Sequence, residues 1–289
     1  MVFIVPDWRP RRSVLFVPAA NARAIDKVAA LAADAIIFDL EDSVGPGERE
    51  AARANLAGRV RGGGFGRREV VVRVSAADSA EFDGDLAAAL ACAPDAVLLP
   101  KIDDAATLRA IADRLAAAAA PARLWAMVET PRAILAIAAI AAADPRLACL
   151  VVGPNDLARL TGVAMRPGRA ALVPWLMVIV AAARGFGLAV LDGVYNNFRD
   201  VEGFAAECAQ AVELGFDGKT LIHPAQIEAA NRAFAPAPAE LERARRIVAA
   251  YADPANAGRG ALALDGEMVE RLHLEQARQL LAAETMLKS

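Results

Sequence analysis

Apolar runs of strand length recur eight times along the chain, and each is followed by a longer alanine-rich stretch with helical spacing. Within the runs, polar and apolar positions do not alternate, so parallel strands covered on both faces are expected. The period of about 30 residues is that of a strand-helix-strand unit. The predicted strands are Ser13 to Val17, Ala35 to Leu40, Val70 to Val74, Ala96 to Leu99, Leu124 to Val128, Ala148 to Val152, Leu188 to Leu191 and Thr220 to Ile222.

Eight such units can form either a doubly wound sheet or a closed (β/α)8 barrel. A dinucleotide-binding sheet would carry G-x-G-x-x-G after its first strand, and this sequence has no such motif there. The pattern therefore favours a TIM barrel, of the α/β class, over residues 1–234. The run Ala235 to Pro238 is typical of a linker, and residues 235–289 are expected to form a C-terminal extension with helices at Ala239 to Ala250 and at Glu267 to about Leu287.

Composition narrows the function classes. Hydrophobic residues make up 56% of the 289 residues, but no run is long and apolar enough to span a bilayer, and no secretory signal opens the sequence. We therefore expect a cytoplasmic protein without a membrane partner. The net charge of −3 gives no excess of positive charge that would favour nucleic-acid binding. The three separated cysteines form neither a zinc motif nor a disulfide framework. A small-molecule ligand is expected.

The polar residues that close the predicted strands carry the candidate chemistry, because barrel active sites are built at the carboxyl ends of the strands. Asp39, Glu41 and Asp42 follow strand two, and Arg73 stands at the end of strand three. The other strand-end residues are Lys101, Glu129, Asn155, Asp156 and His223.

Carboxylates crowded at one rim repel one another unless a proton or a cation lies between them. A hard divalent ion with oxygen ligands is the usual solution, and Mg²⁺ takes only one or two protein carboxylates. Glu129 and Asp156, on adjacent strands, are therefore the predicted metal ligands, and Arg73 is predicted to clamp a substrate carboxylate in bidentate fashion. The alternative is a structural ion-pair network across the barrel mouth.

Other catalytic schemes have few candidate residues. The sequence holds two histidines, no G-x-S-x-G motif and no Cys-His pair, which argues against a serine or thiol hydrolase. His223 is favoured as a structural or substrate-contacting group over a general base. Lys101 could form an imine with a keto acid, although an ion pair with a rim carboxylate is the favoured interpretation.

Eight ordered motifs resemble those of one protein family. They are Arg12 to Pro18, Phe38 to Asp42, Val72 to Val74, Leu99 to Lys101, Val128 to Thr130, Gly153 to Ala158, Leu191 to Val194 and Gly218 to Ile227. Together they cover nearly the whole chain, which resembles the HpcH/HpaI aldolase and citrate lyase superfamily. The branch is that of citrate lyase beta subunit-like proteins and malyl-CoA or citramalyl-CoA lyases.

The resemblance implies a magnesium-dependent barrel in which Glu129 and Asp156 match the metal ligands and Arg73 matches the residue that holds the oxo-acid. Asp42 matches an acid that orders metal-bound water, and Glu41 stands beside it; both are expected to be catalytic, as is Arg73.

The resemblance also implies where substrate binds and how subunits assemble. Gly153, Pro154 and Asn155 are expected to bind substrate, with backbone amides of the Gly153 to Asp156 loop in contact with its carboxylate, and Arg23 and Lys27 match a coenzyme A phosphate region. The implied assembly is a homotrimer or hexamer in which the C-terminal extension packs on a neighbouring subunit.

Two positions depart from the family pattern. The lyases carry a C-terminal Gly-x-Met-hydrophobic-Asp motif whose aspartate is the acid/base in a neighbouring subunit, whereas this chain ends the motif in Glu270. The segment Leu172 to Met177 lacks the arginine of its relatives.

We therefore expect a magnesium-dependent lyase that cleaves a 3-hydroxyacyl-CoA-type thioester to an acyl-CoA and a 2-oxo acid, with Glu270 as acid/base. The alternatives are an acyl-CoA thioesterase on the same scaffold, a metal-free imine aldolase and a non-catalytic acyl-CoA-binding subunit.

Overall fold

A computed structural model describes residues 9–288, and eight parallel strands form a closed barrel within the unit Arg11–Ala233. Each strand pairs with the next in chain order, and β1 closes the barrel against β8. The predicted (β/α)8 barrel is therefore confirmed, and the doubly wound alternative is wrong. The strands are β1 Ser13–Pro18, β2 Ala35–Asp39, β3 Glu69–Arg73, β4 Ala96–Leu99, β5 Arg123–Val128, β6 Leu147–Val152, β7 Ala189–Asp192 and β8 Gly218–Leu221.

Helices cover the strands on the outside, and most begin with a recognisable start signal. Thr130 caps α5 by accepting a hydrogen bond from the Ala133 amide, and Asp104 caps α4 in the same way at Thr107. The helices of this unit are α1 Ala22–Val28, α2 Arg49–Asn55, α3 Phe82–Ala91, α4 Ala105–Ala117, α5 Pro131–Ala141, α6 Pro154–Thr161, α7 Val173–Gly185, α8 Val201–Leu214 and α9 Ile227–Ala233.

Apolar side chains fill the barrel, so it has a packed core and no pore. Trp125 and Ile37 are fully buried in it. Gly218 lets β8 approach the chain at Arg11, because a Cβ at this position would overlap the Arg11 backbone. Barrel closure therefore depends on one residue without a side chain.

A second compact unit contains the described residues from Phe234 onward. Helices α10 Pro238–Ala252 and α11 Arg271–Lys288 pack together with an antiparallel hairpin of β9 Ala261–Leu264 and β10 Glu267–Glu270. The predicted second helix was wrong over residues 267–270, which are strand. Asp265 and Gly266 both have positive φ, 52° and 83°, as a tight hairpin turn requires.

None of the described helices combines the length and the apolar character that crossing a bilayer requires.

Candidate active site

A cavity of about 360 Å³ opens at the carboxyl ends of the barrel strands. Asp39 and Arg73 line it, as do Glu129 and Asp156. Apolar side chains of Phe16, Met127 and Val152 form part of its wall. The predicted rim charges therefore do meet in one place, with a largely apolar surface beside them.

Glu129 stands where β5 ends, because Thr130 and Pro131 start the next helix at once. Its side chain is only 2% exposed, and its Oε1 accepts a 2.8 Å hydrogen bond from the Lys101 amide. Burial, and then the neighbouring charge of Glu41, raise the pKa of Glu129 to about 7. The raised pKa indicates that the positive charge near this buried carboxyl is too small to offset its burial.

Asp156 lies in the first turn of α6, which begins at Pro154 with Gly153 as its N-cap. A Cβ on Gly153 would overlap the Glu129 side chain, so glycine permits the two strand ends to approach. Arg159 donates two hydrogen bonds to Oδ1 of Asp156, at 2.7 and 3.1 Å. Among the described side chains, none donates a hydrogen bond to Oδ2.

Arg73 is held by a carboxylate that we had not assigned a role. Its Nε and Nη2 each donate a 2.7 Å hydrogen bond to Asp39, which is 2% exposed. Burial alone would raise the pKa of Asp39, but the charge and hydrogen bonds of Arg73 hold it below its ordinary value. The Arg73 Nη1 lies 3.2 Å from Asp42 and 3.0 Å from Glu41. Asp39 is therefore the bidentate partner of Arg73 in this structure. The third guanidinium nitrogen, Nη1, makes no hydrogen bond to Asp39.

Lys101 contacts both Glu41 and Glu129. Its ammonium pairs with Oε1 of Glu41, and its backbone amide binds Glu129. Burial would lower the pKa of Lys101, but the hydrogen bond and charge of Glu41 raise it above its ordinary value. This supports the predicted ion pair, because an imine-forming lysine must be neutral to attack a carbonyl.

The acids at this rim outnumber the cations. The carboxylates are Asp39, Glu41, Asp42, Glu129 and Asp156, and the cations that contact them are Arg73, Lys101 and Arg159.

Within the described residues, no group of three or more His, Cys, Asp or Glu side chains is arranged to hold a metal. Two carboxylates fit Mg²⁺ best, since this ion keeps several positions for water and substrate. The buried, poorly compensated Glu129 and the Oδ2 of Asp156 are suitable donors.

Other predicted site residues lie outside this cavity. Arg23 and Lys27 are exposed on α1, and their predicted contact with coenzyme A stays a prediction. Glu270 ends β10 in the second unit, where its backbone N–H donates to Nδ1 of His273. His223 caps the short helix that follows β8 and stacks on Phe198, with 4.4 Å between ring centroids. These contacts agree with a structural role for His223.

The prediction missed two residues that shape the site. Asp39 has no role in the sequence-based prediction, although it ends β2 directly opposite Arg73 in the strand register. Alignment of the predicted second and third strands would have indicated this pair. Asn196 exchanges two amide hydrogen bonds with Asn155, at 2.7 and 3.3 Å, and both line the cavity. It follows β7 by four residues, and no local pattern indicates this pairing.

A closed (β/α)8 barrel with acids gathered at the carboxyl ends of its strands is the architecture of a large class of enzymes. The family model of HpcH/HpaI aldolase/citrate lyase matches residues 12–224, and the chain belongs to this family.

Curated relatives are similar over almost their entire length. A (3S)-malyl-CoA thioesterase of Cereibacter sphaeroides is 47% identical over 273 residues, which are 94% of each chain. The citrate lyase subunit beta of Escherichia coli is 36% identical over 95% of this chain and 93% of its own.

A solved structure agrees with the fold. The protein CitE of Mycobacterium tuberculosis, in complex with magnesium, acetoacetate and coenzyme A, matches with a TM-score of 0.77 and 34% identity. The match covers 94% of this chain and 97% of that protein. The expectation of magnesium agrees with what this relative binds, and its other two ligands are coenzyme A and an oxo-acid.

Proposed function

We propose that the protein is a magnesium-dependent hydrolase of a malyl-CoA-type thioester. The observation that carries this proposal is the cavity that Glu129, Asp156 and Arg73 line together, in a chain 47% identical to (3S)-malyl-CoA thioesterases. The thioesterase was an alternative to the lyase in the sequence analysis, and the degree of similarity moves it to first place.

Glu129 and Asp156 would hold the magnesium ion. When bound, Mg²⁺ supplies Lewis-acid activation and a template for a carboxylate and its neighbouring oxygen. Glu129 is already aimed by the Lys101 amide, so one of its oxygens is fixed before any ligand arrives.

Arg73 places positive charge where the substrate becomes more negative. Asp39 fixes the guanidinium through two hydrogen bonds, and Phe16 lies 4.9 Å from it. The Nη1 atom then stabilises an oxygen that gains charge in the transition state. Because the arginine is held rigidly, little reorganisation is needed during the reaction.

Hydrolysis requires a base for the attacking water. The water oxygen forms a bond to the thioester carbonyl carbon, the carbon–sulfur bond breaks, and the thiolate leaves and takes up a proton. Asp42 lines the cavity, and its side chain is 60% exposed, so it can reach a water molecule there. We assign it to orient that water and accept its proton, with Glu41 beside it.

The remaining predicted contacts complete the proposal. The backbone N–H groups of Asn155 and Asp156 in the first turn of α6 would bind the substrate carboxylate, as helix N-termini favour anions. Gly153 and Pro154 would shape this loop, because the Gly153 N–H donates to the Val128 carbonyl and proline has no N–H. Arg23 and Lys27 would bind the phosphates of coenzyme A.

The C-terminal extension would pack on a neighbouring subunit of a homotrimer or hexamer and carry Glu270 to the neighbour's site. In the hairpin, Met268 is 67% exposed, and Leu272 just beyond it is 58% exposed. Such apolar exposure is what an interface would cover.

The second candidate is the carbon–carbon lyase, favoured by the family and by the 36% identity with a citrate lyase beta subunit. In that reaction the hydroxyl group would lose its proton to a rim carboxylate and become the carbonyl of the 2-oxo acid. The bond from its carbon to the thioester α-carbon would break, and Glu270 of a neighbour would give a proton to the α-carbon. The metal and Arg73 would keep the same places.

Product analysis separates the candidates. With malyl-CoA and Mg²⁺, hydrolysis yields malate and free coenzyme A, whereas cleavage yields glyoxylate and acetyl-CoA. We expect malate, and loss of turnover in EDTA. Turnover that persists in EDTA would rule out the metal mechanism, and saturable binding of malyl-CoA without any product would favour a non-catalytic acyl-CoA-binding protein.

A further inference from the structure

Lys101 lies between two acids that could both bind a cation, Glu41 and Glu129. We propose that Lys101 is a positioning residue that keeps Glu41 away from the divalent cation, so that the site offers two carboxylates and not three. This inference rests on the proposed function, because it concerns the metal site formed by Glu129 and Asp156.

The backbone of Lys101 has an unusual conformation. Its φ of 51° is in the left-handed region, which is unfavourable for a residue other than glycine. In this conformation its amide donates to Oε1 of Glu129 at 2.8 Å. Lys101, directly after β4, therefore combines the strained backbone with the hydrogen bond to Glu129, the proposed metal ligand.

The side chain of Lys101 holds the second acid. Its ammonium binds Oε1 of Glu41, while Oε2 of Glu41 is buried and accepts no hydrogen bond from the described residues. Arg73 Nη1 is 3.0 Å from that oxygen but is not oriented to donate to it. Glu41 thus has an oxygen with unused capacity to accept, and a hard cation would satisfy it.

Glu41 is also near enough to Glu129 to compete for the same ion. The backbone amide of Lys101 donates to Glu129 at 2.8 Å, and the ammonium of the same residue binds Glu41. Two carboxylates in such proximity are brought together by a divalent cation unless positive charge occupies one of them. Lys101 supplies that charge at Oε1 of Glu41, and Arg73 lies 3.0 Å from Oε2.

A third carboxylate would change the chemistry of the site. It would take a coordination position that Mg²⁺ otherwise gives to water or substrate, and it would weaken the ion as a Lewis acid. Loss of the ammonium also removes a charge that repels the cation. A variant without this ammonium is therefore expected to bind the cation more tightly and to turn over substrate more slowly.

The experiment measures binding of Mn²⁺ to the full chain, by electron paramagnetic resonance for affinity and by water proton relaxation for the number of bound waters. We expect Lys101→Met to bind Mn²⁺ at least about tenfold more tightly, with fewer bound waters. Lys101→Arg keeps the charge and should behave like the wild type. Adding Glu41→Gln to Lys101→Met should return the affinity to near the wild-type value, because the additional ligand is then lost.

Two further variants keep the outcome decisive. Lys101→Gly removes the ammonium but tolerates the left-handed backbone, so it should tighten binding even if Lys101→Met folds poorly. Glu129→Gln should abolish binding, which shows that the measured site is this one.

Unchanged or weaker Mn²⁺ binding in the folded Lys101 variants would overturn the inference while leaving the proposed function intact. Tight binding that persists without the Glu41 charge would also overturn it. If the wild type binds no Mn²⁺, or Glu129→Gln binds it equally well, the proposed metal site fails and the inference fails with it.

Discussion

Two clusters of charge in the barrel unit differ in balance. One cluster joins Asp192 of β7 and Lys219 of β8 to Arg169 and Glu207, with contacts of 2.6 to 3.4 Å. It holds two acids and two bases, and Asp192 and Lys219 are completely buried. The cavity cluster around Glu129 has more acids than bases.

The difference in charge balance shifts the pKa of a buried carboxyl in opposite directions in the two clusters. Burial by itself would raise the pKa of Asp192, but Lys219 and Arg169 outweigh burial and hold it below its ordinary value. For Glu129 burial prevails, and the pKa rises to about 7. The acids and bases of the balanced cluster offset one another, whereas an unbalanced cluster is suited to receive an external cation.

The sharpest test of the comparison is removal of the unbalanced charge. We expect Glu129→Gln to lower turnover of malyl-CoA by about 1000-fold or more and to abolish Mg²⁺ binding, because the proposed metal ligand is lost. Steady-state kinetics and calorimetric titration measure the two effects. Glu202→Gln, at an exposed position of α8, is the matched control and should change neither.

Removal of a charge from the balanced cluster should lower the stability of the protein. Asp192→Asn leaves Lys219 and Arg169 buried with Glu207 as their one remaining acid, so we expect the free energy of unfolding to fall by about 3–5 kcal/mol. Urea denaturation measures this loss. Asp83→Asn is the control, since Asp83 pairs with Arg114 at the surface and should cost less than about 1 kcal/mol. A loss as small as the control's would contradict a structural role.

The raised pKa of Glu129 predicts a pH dependence in metal-free protein. The folded state takes up this proton at about pH 7 and the unfolded state at about 4.5, so stability from this group is present at low pH and is lost as pH rises through that window. The difference amounts to up to about 3 kcal/mol. It should be absent in Glu129→Gln, and thermal unfolding at pH 5 and pH 8 compares the two proteins. Equal slopes in both would contradict the raised pKa.

The smallest expected effect tests how closely the two strand ends must approach. In Gly153→Ala the new methyl group meets the Glu129 side chain, so we expect Mg²⁺ affinity to fall by about tenfold with the barrel still folded. Calorimetric titration and circular dichroism check both statements. Gly58→Ala, where the added methyl meets nothing within 4 Å, should leave affinity unchanged.

The barrel could be predicted because its signals are local and repeated. Continuous apolar runs such as Ala96 to Leu99 must be buried on both faces, and the helices between them carry their own caps and apolar faces. Because the carboxyl ends of barrel strands share one rim, the sequence also predicts that Arg73, Glu129 and Asp156 lie in one region.

The hairpin at β9 and β10 was not predicted because Glu267 to Glu270 is too short a segment to show a period. Its strand state depends on a turn at Asp265 and Gly266 and on apolar packing by Leu262 and Val269 between two helices. Such packing is a tertiary property.

The barrel, its eight strands and the residue types at the strand ends follow from the amino-acid sequence, because the hydrophobic period and the position of each strand end are local features of the chain. Which charges meet depends on the folded protein: Asp39 holds Arg73, and Lys101 contacts both Glu41 and Glu129. The physical reason is that pairing depends on distance and direction across strands, and burial sets how strongly each unpaired charge is felt.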